Sequence, residues 1–279
     1  MNLQQAERKQ AKIKLGLLAP SGAGKTYSAL LLAFGMTNDW SKIAVIDTEN
    51  HSADLYAHLG SYQVLALEKP FTPERYCEAI DICEKAGIEV VVIDSVSHEW
   101  EGIGGILDIH GAMIGNSFTN WAKVTPRHND FVQKILQSPC HIIATIRSKQ
   151  DYVLSEKNGK MVPEKVGLKG VTREGMDYEL TVVFELDIKH QATSTKDRTG
   201  LFMDKPSFLI TPDTGQIIAN WCKAGKSLPD IKADIQKAST VDQLRNILKA
   251  YPNHRNELEP LCIRRKEQIE NPIANVTTL

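Results

Sequence analysis

The stretch LGLLAPSGAGKTYSALLLA, residues 15–33, limits the fold of this chain more than any other. An apolar run stops at Ala19, five turn-forming or small residues follow (Pro20, Ser21, Gly22, Ala23 and Gly24), and Lys25 and Thr26 open a helix-forming run. A backbone turned by glycines between a strand and a helix can aim successive N–H groups inward, and the helix N-terminus adds partial positive charge. Both features suit a polyphosphate, with Lys25 placed to reach its outer phosphates and Thr26 to hold a divalent cation.

The rest of the chain fits a soluble α/β protein around that turn. Its 279 residues are 42% hydrophobic, enough for one large core. A net charge of -1 means that any contact with nucleic acid needs a local basic patch rather than a global field. Five cysteines without metal-ligand spacing point to a reducing, cytoplasmic setting. The first fourteen residues lack the apolar stretch of a signal peptide, IEVVVIDSV is too short to span a bilayer, and no membrane association is expected.

Apolar runs at 13–18, 42–50, 88–96 and 140–147 alternate with helical segments. This predicts a three-layer α/β core with a mainly parallel sheet. Thr72 and Pro73 mark a helix start and Gly87 a stop. Past residue 150, Asn158-Gly159 predicts a hairpin, 178–202 two further antiparallel strands, and PSFLITPDTGQIIANW another short hairpin. From Ser227 the pattern turns helical. Thr240 and Gln243 make a capping-box pair, Leu244, Ile247, Leu248 and Tyr251 form one face, and Pro252 ends that helix. The expected organisation is a core at 1–226 and a small helical appendage at 227–279.

Asp94 ends the buried run VVVID and suits a Walker B carboxylate that orients water on Mg²⁺. With the loop at Pro20–Thr26 and Tyr27 just beyond it, this predicts a Mg·nucleotide site. VIDTENHSADLYAHLG resembles the segment after the second core strand of RecA and its recombinase relatives. The resemblance implies a RecA-like P-loop NTPase core with ATP as nucleotide, Glu49 as catalytic base and Tyr56 as the ring stacked on adenine. IATIRSK resembles the RecA sensor strand, with Thr145 where RecA has glutamine. TKDRTG resembles the element that RadA-type and DnaB-type ATPases extend into a neighbouring subunit, which implies Lys196 and Arg198 as fingers in trans and a homo-oligomer, ring or filament. Over residues 10–220 the chain is similar to small phage-encoded RecA-core ATPases of recombination and single-strand annealing, which implies the cytoplasm of a bacterial cell.

In such cores DNA lies on loops after the Walker B and sensor strands. Here the first is the glycine-rich segment 101–118. The second offers Lys149, Lys157, Lys160, Lys165, Lys169 and Arg173, with Phe118, Trp121 and Tyr152 as stacking faces, the alternative being solvated lysines on an ordinary surface hairpin. His98, Glu99 and Glu101 read as surface charge around a core Trp100. The expected activity is ATP hydrolysis, DNA-stimulated, on single-stranded DNA. The C-terminal helices are expected to recruit a recombination or replication protein. A nucleotide-gated loader of a helicase or annealing partner is the alternative, and a small-molecule kinase a more distant one.

Overall fold

A computed structural model describes residues 11–157, 160–223, 228–251 and 254–270. The first half of the chain runs β1 (Lys14–Ala19), α1 (Lys25–Thr37), β2 (Ile43–Asp47), β3 (Gln63–Ala66), α2 (Pro73–Lys85), β4 (Val90–Asp94), α3 (Ser97–Glu101), α4 (Ile106–Ala112) and α5 (Ser117–Gln137). It continues through β5 (His141–Lys157), β6 (Lys160–Gly170), α6 (Met176–Glu179), β7 (Val182–Leu186), β8 (Gln191–Asp197), β9 (Phe208–Leu209), α7 (Pro212–Lys223), α8 (Leu228–Lys237), α9 (Val241–Ala250) and α10 (Arg255–Glu270).

Strands β3-β2-β4-β5-β1-β7 lie parallel in that order, and β8 and β9 extend the sheet antiparallel. Every residue of β1, β2 and β4 is buried, which explains their unbroken apolar runs. Tyr76 and Ile80 of α2 and Phe131 and Ile135 of α5 join Ile46, Val91, Ile93, Ile142 and Ala144 in one core. The alternate strand residues Val45, Val92 and Ile143 are equally buried, and α1 contacts β1, β2, β4 and β5. Both faces of the sheet are thus covered, as the strand–helix alternation predicts. Among the described residues no helix is long and apolar enough to cross a membrane.

Local signals act where expected. The Thr72 hydroxyl accepts the Arg75 N–H with Pro73 in the first turn of α2, and Gly87 follows that helix at φ 73°. Parallel β1 and β5 remain paired up to Ala19↔Arg147; from Ser148 on, β5 pairs antiparallel with β6, Ser148↔Gly170 through Lys157↔Lys160. The same strand therefore leaves the sheet as one side of a hairpin arm about 30 Å long. The Asn158-Gly159 turn lies outside the described residues.

Two expectations need correction. PSFLITPDTGQIIANW does not form a hairpin, because only Phe208–Leu209 is strand and Pro212 opens α7. Pro212 and Asp213 read as turn residues, yet proline is equally suited to a first helical turn. The Thr211 N–H donates to Thr214 Oγ1, and α7 crosses α1 so closely that a Cβ on Gly215 would stand 2.2 Å from the Leu32 carbonyl oxygen. The segment 101–118, read as a loop, contains α4 and the start of α5, where Asn116 Oδ1 accepts the Phe118 N–H.

Contacts divide the chain into a unit at Lys12–Ala219 and a second that takes up Asn220 onward, with the division inside α7. The sequence-based boundary at 226/227 lies at a stretch, 224–227, outside the described residues, as does Pro252. In the second unit Ile231, Ile235, Leu244, Leu258 and Cys262 form a separate core, and α9 starts with the complete Thr240/Gln243 capping box.

Candidate active site

The carboxyl ends of β1, β2, β4 and β5 open into a cavity of about 1040 Å³. Its walls include Ser21, Gly22, Gly24, Lys25, Thr26 and Tyr27 from the loop and α1, Ser52 and Tyr56 from the segment after β2, and Glu49, Asp94 and Arg147. Gly22 and Gly24 have φ of 81° and 84°, a region costly for other residues. No side chain caps the first turn of α1, and no acidic residue occupies it. Its orphan N–H groups and positive helix end are therefore available to an anion. Lys25 Nζ donates to the carbonyls of Ala19 (3.1 Å) and Pro20 (3.0 Å), and burial lowers its pKa. Pro20 and Ala23 shape the loop without forming the wall. The buried Ala23 carbonyl lies 3.0 Å from Nδ1 of His190, which the β7–β8 turn holds at φ 64°.

Thr26 Oγ1 donates to Asp94 Oδ2 at 2.5 Å, and Thr145 Oγ1 donates to Asp94 Oδ1 at 2.5 Å. Asp94 is buried, and burial pushes its pKa up against these two donors. A hydroxyl and a carboxylate converging beside an uncapped helix end fit Mg²⁺, which takes one or two protein oxygens and completes its shell with water and phosphates. Among the described residues no group of three or more His, Cys, Asp or Glu forms an all-protein cage for a metal. The hydroxyls of Ser52 and Ser148 also fit a polar ligand, for both residues line the cavity and both oxygens are buried without a partner. Tyr27 and Tyr56 hold their rings 5.9 Å apart at another part of the wall.

Asp47 fixes the segment that carries Glu49, accepting the Glu49 N–H on Oδ1 (2.6 Å) and the Ala53 N–H on Oδ2 (2.8 Å). Glu49 accepts two hydrogen bonds from the Arg147 guanidinium, Nε to Oε1 at 2.9 Å and Nη2 to Oε2, and a third from Ser95 Oγ at 3.0 Å. Burial pushes the Glu49 carboxyl upward, but the Arg147 and Ser95 bonds outweigh it and the net shift is down. Glu49 is therefore an ionised acceptor at neutral pH.

Thr145 stands behind Asp94 rather than on the cavity wall. It is fully buried, does not line the cavity, and holds Asp94. Lys196 and Arg198 are also outside this cavity: Lys196 Nζ donates to the carbonyls of Asp177 (3.0 Å) and Tyr178, and Arg198 Nη2 to that of Tyr178 (3.0 Å). Lys149 lies at the cavity, 2.9 Å from Glu101 Oε2. Lys169 and Arg173 line a separate pocket of about 240 Å³ at the root of the hairpin arm. The side chains of Lys157, Lys160 and Lys165, with Tyr152, lie outside the described residues. Phe118 is exposed, whereas Trp121 stacks on His110 at 4.1 Å and on Trp100 at 5.9 Å.

The reading of Glu99 as surface charge is corrected. It is fully buried, with both oxygens about 3 Å from Nδ1 of the buried His128. His98 is half-buried, 2.9 Å from Thr48 Oγ1 and stacked on Phe71. Sequence reasoning also missed Arg147, Ser148, Ser52 and His190 as parts of the site. For Arg147 a signal existed, since it lies two residues beyond Thr145 on one strand and must share its face. His190 comes from a distant turn and carries no such local sign.

A family model described as AAA domain matches residues 11–209. No curated protein sequence matches the chain. Because the family match spans well over half of the sequence and includes every wall of this cavity except two residues beyond β9, the protein belongs to the AAA-domain family of nucleotide-binding ATPases.

Proposed function

We propose that the protein is a Mg²⁺-dependent ATPase of RecA-like type, similar to small phage recombination ATPases, that hydrolyses ATP to control its grip on single-stranded DNA during annealing or strand exchange. The observation that carries this reading is the convergence of Lys25, the Thr26–Asp94 pair and the ionised Glu49 on one cavity at the strand ends.

The loop N–H groups and Lys25 bind and orient the phosphates, and Tyr56 and Tyr27 offer stacking faces to the base. Thr26 and Asp94 would hold Mg²⁺, which would supply positive charge to the phosphate oxygens. Glu49 orients a water and takes its proton as the water oxygen bonds to the terminal phosphorus. The bond from that phosphorus to the bridging oxygen breaks, and ADP leaves with the electron pair. A positioned general base of this kind contributes about 10²–10⁴-fold in rate. Before Glu49 can act, Arg147 must yield at least one of its carboxylate contacts, and the terminal phosphate is the anion that competes for it.

In this reading Lys196 and Arg198, which line no wall of this cavity within their own chain, serve as fingers for a neighbouring copy in a ring or filament. Such fingers contribute about 10³–10⁵-fold. The hairpin arm that leaves the sheet directly after Arg147 gives nucleotide state a covalent route to a DNA-facing element. The C-terminal helices, which carry a core of their own, are assigned in this reading to a replication or recombination partner.

The test is ATP turnover with and without a single-stranded oligonucleotide across a salt series. The reading predicts stimulation that falls steeply as salt rises. Turnover indifferent to DNA at every salt concentration would replace it with the nucleotide-gated loader.

A further inference from the structure

Alternation along β5 places Thr145, Arg147 and Lys149 on one face of the strand. Each holds a carboxylate from a different element at the same cavity: Thr145 holds Asp94 of β4, Arg147 holds Glu49 after β2, and Lys149 holds Glu101 at the end of α3. The three pairs make a row that starts in the buried sheet and ends where the hairpin arm begins. Ser148, between the two cations, contributes a cavity-lining hydroxyl oxygen that is buried without a partner.

We propose that Lys149 is a third cation, beside Lys25 and Arg147, supplied to the nucleotide site by the same chain, one that exchanges Glu101 for the terminal phosphate when a triphosphate binds. This deepens the ATPase reading and rests on it. The Lys149 side chain is 70% exposed and its carboxylate partner 28% exposed, so the pair is a weak, solvent-screened one that a multiply charged phosphate can outcompete. The Arg147–Glu49 pair beside it is doubly bonded and more enclosed. Exchange at Lys149 is thus the easier step. It frees Glu101 and α3 while drawing the root of the arm toward the nucleotide, so the same event reports a triphosphate to two elements. ADP, lacking the third phosphate, leaves Lys149 with Glu101.

The experiment measures binding of a fluorescent, slowly hydrolysed ATP analogue and of fluorescent ADP to the full chain, for wild type, Lys149→Met and Glu101→Gln. Lys149→Met should weaken the ATP analogue about tenfold or more, the loss of one charge-assisted contact, and ADP by less than twofold. Glu101→Gln should tighten the ATP analogue and leave ADP unchanged. An unchanged ratio of the two affinities in Lys149→Met, or a loss confined to oligonucleotide binding, would overturn the proposal and make Lys149 a structural or DNA contact. Weaker binding of the ATP analogue by Glu101→Gln would overturn the exchange. Wild-type protein that binds neither nucleotide would instead remove the ATP reading itself. Binding without DNA stimulation would remove the DNA reading and leave this proposal standing.

Discussion

Replacing Thr145 by valine separates two roles for that residue, a reader of the terminal phosphate or a clamp on the metal-site aspartate. Valine keeps the shape but removes the hydroxyl that donates to Asp94 Oδ1 at 2.5 Å inside a fully buried site. A hydrogen bond to a charged group contributes about 1.5–3 kcal/mol, and its loss leaves a buried carboxylate oxygen without a donor. Because the same bond holds Asp94 before nucleotide binds, this sets an upper bound of about 10- to 100-fold on the loss of Mg²⁺-dependent nucleotide affinity. Burial already raises the Asp94 pKa against the Thr145 and Thr26 bonds, so losing one bond raises it further. Mg·nucleotide affinity in the variant should therefore begin to fall, as pH decreases, at a higher pH than in wild type. Anisotropy of a fluorescent nucleotide, titrated with Mg²⁺ at several pH values, reads both effects, and Thr145→Ser should behave as wild type. Valine protein with unchanged Mg²⁺ dependence and a selective loss of ATP over ADP would refute the clamp and restore the sensor role.

Mixing Lys25→Ala protein with Arg198→Ala protein should restore part of the turnover that neither shows alone, since the intact Arg198 of a Lys25→Ala copy can complete the site of an Arg198→Ala neighbour; turnover that stays absent in the mixture argues against fingers in trans. Lys14 is buried, donates to the carbonyls of Ser138 and Cys140, and has its pKa lowered by burial to about 8 from 10.5. Its folded-state pKa lies below the unfolded value, so the unfolded chain binds the extra proton between about pH 8 and 10.5. Lys14 should accordingly add stability as pH rises through that window, up to about 3 kcal/mol, read as the difference between wild type and Lys14→Met in denaturant titrations. A difference that stays flat with pH would contradict it. Gly215→Ala should destabilise the protein by about 1–3 kcal/mol or more in urea unfolding, because its Cβ would press on the Leu32 backbone. An unchanged midpoint would show that α1 and α7 do not cross as closely as described.

The core of the fold was legible because its signals are local. Unbroken apolar strands such as VVVID announce burial on both faces, and the residues that wrap a phosphate are consecutive. The shared carboxyl-end placement of Lys25, Glu49 and Asp94 follows from the alternation of strand and helix. What the sequence hid depends on distant partners. Nothing near Glu49 says that Arg147, 98 positions away, will pair with it, or that Glu99 will be buried against His128. The turn residues of PDTG fit a hairpin as well as a helix start, and the α1 surface at Gly35 selects the helix. The departure of β5 from the sheet is equally non-local, since it requires β1 to end at Ala19 and β6 to take over at Gly170.

In the proposed function Glu49 is the base of an ATP-hydrolysing site built on Lys25, Thr26 and Asp94. The most direct measurement compares Mg·ATP binding and phosphate release for wild type and Glu49→Gln. Glu49→Gln should bind ATP at least as tightly as wild type and release phosphate about 10²–10⁴-fold more slowly. Normal phosphate release by Glu49→Gln would contradict it.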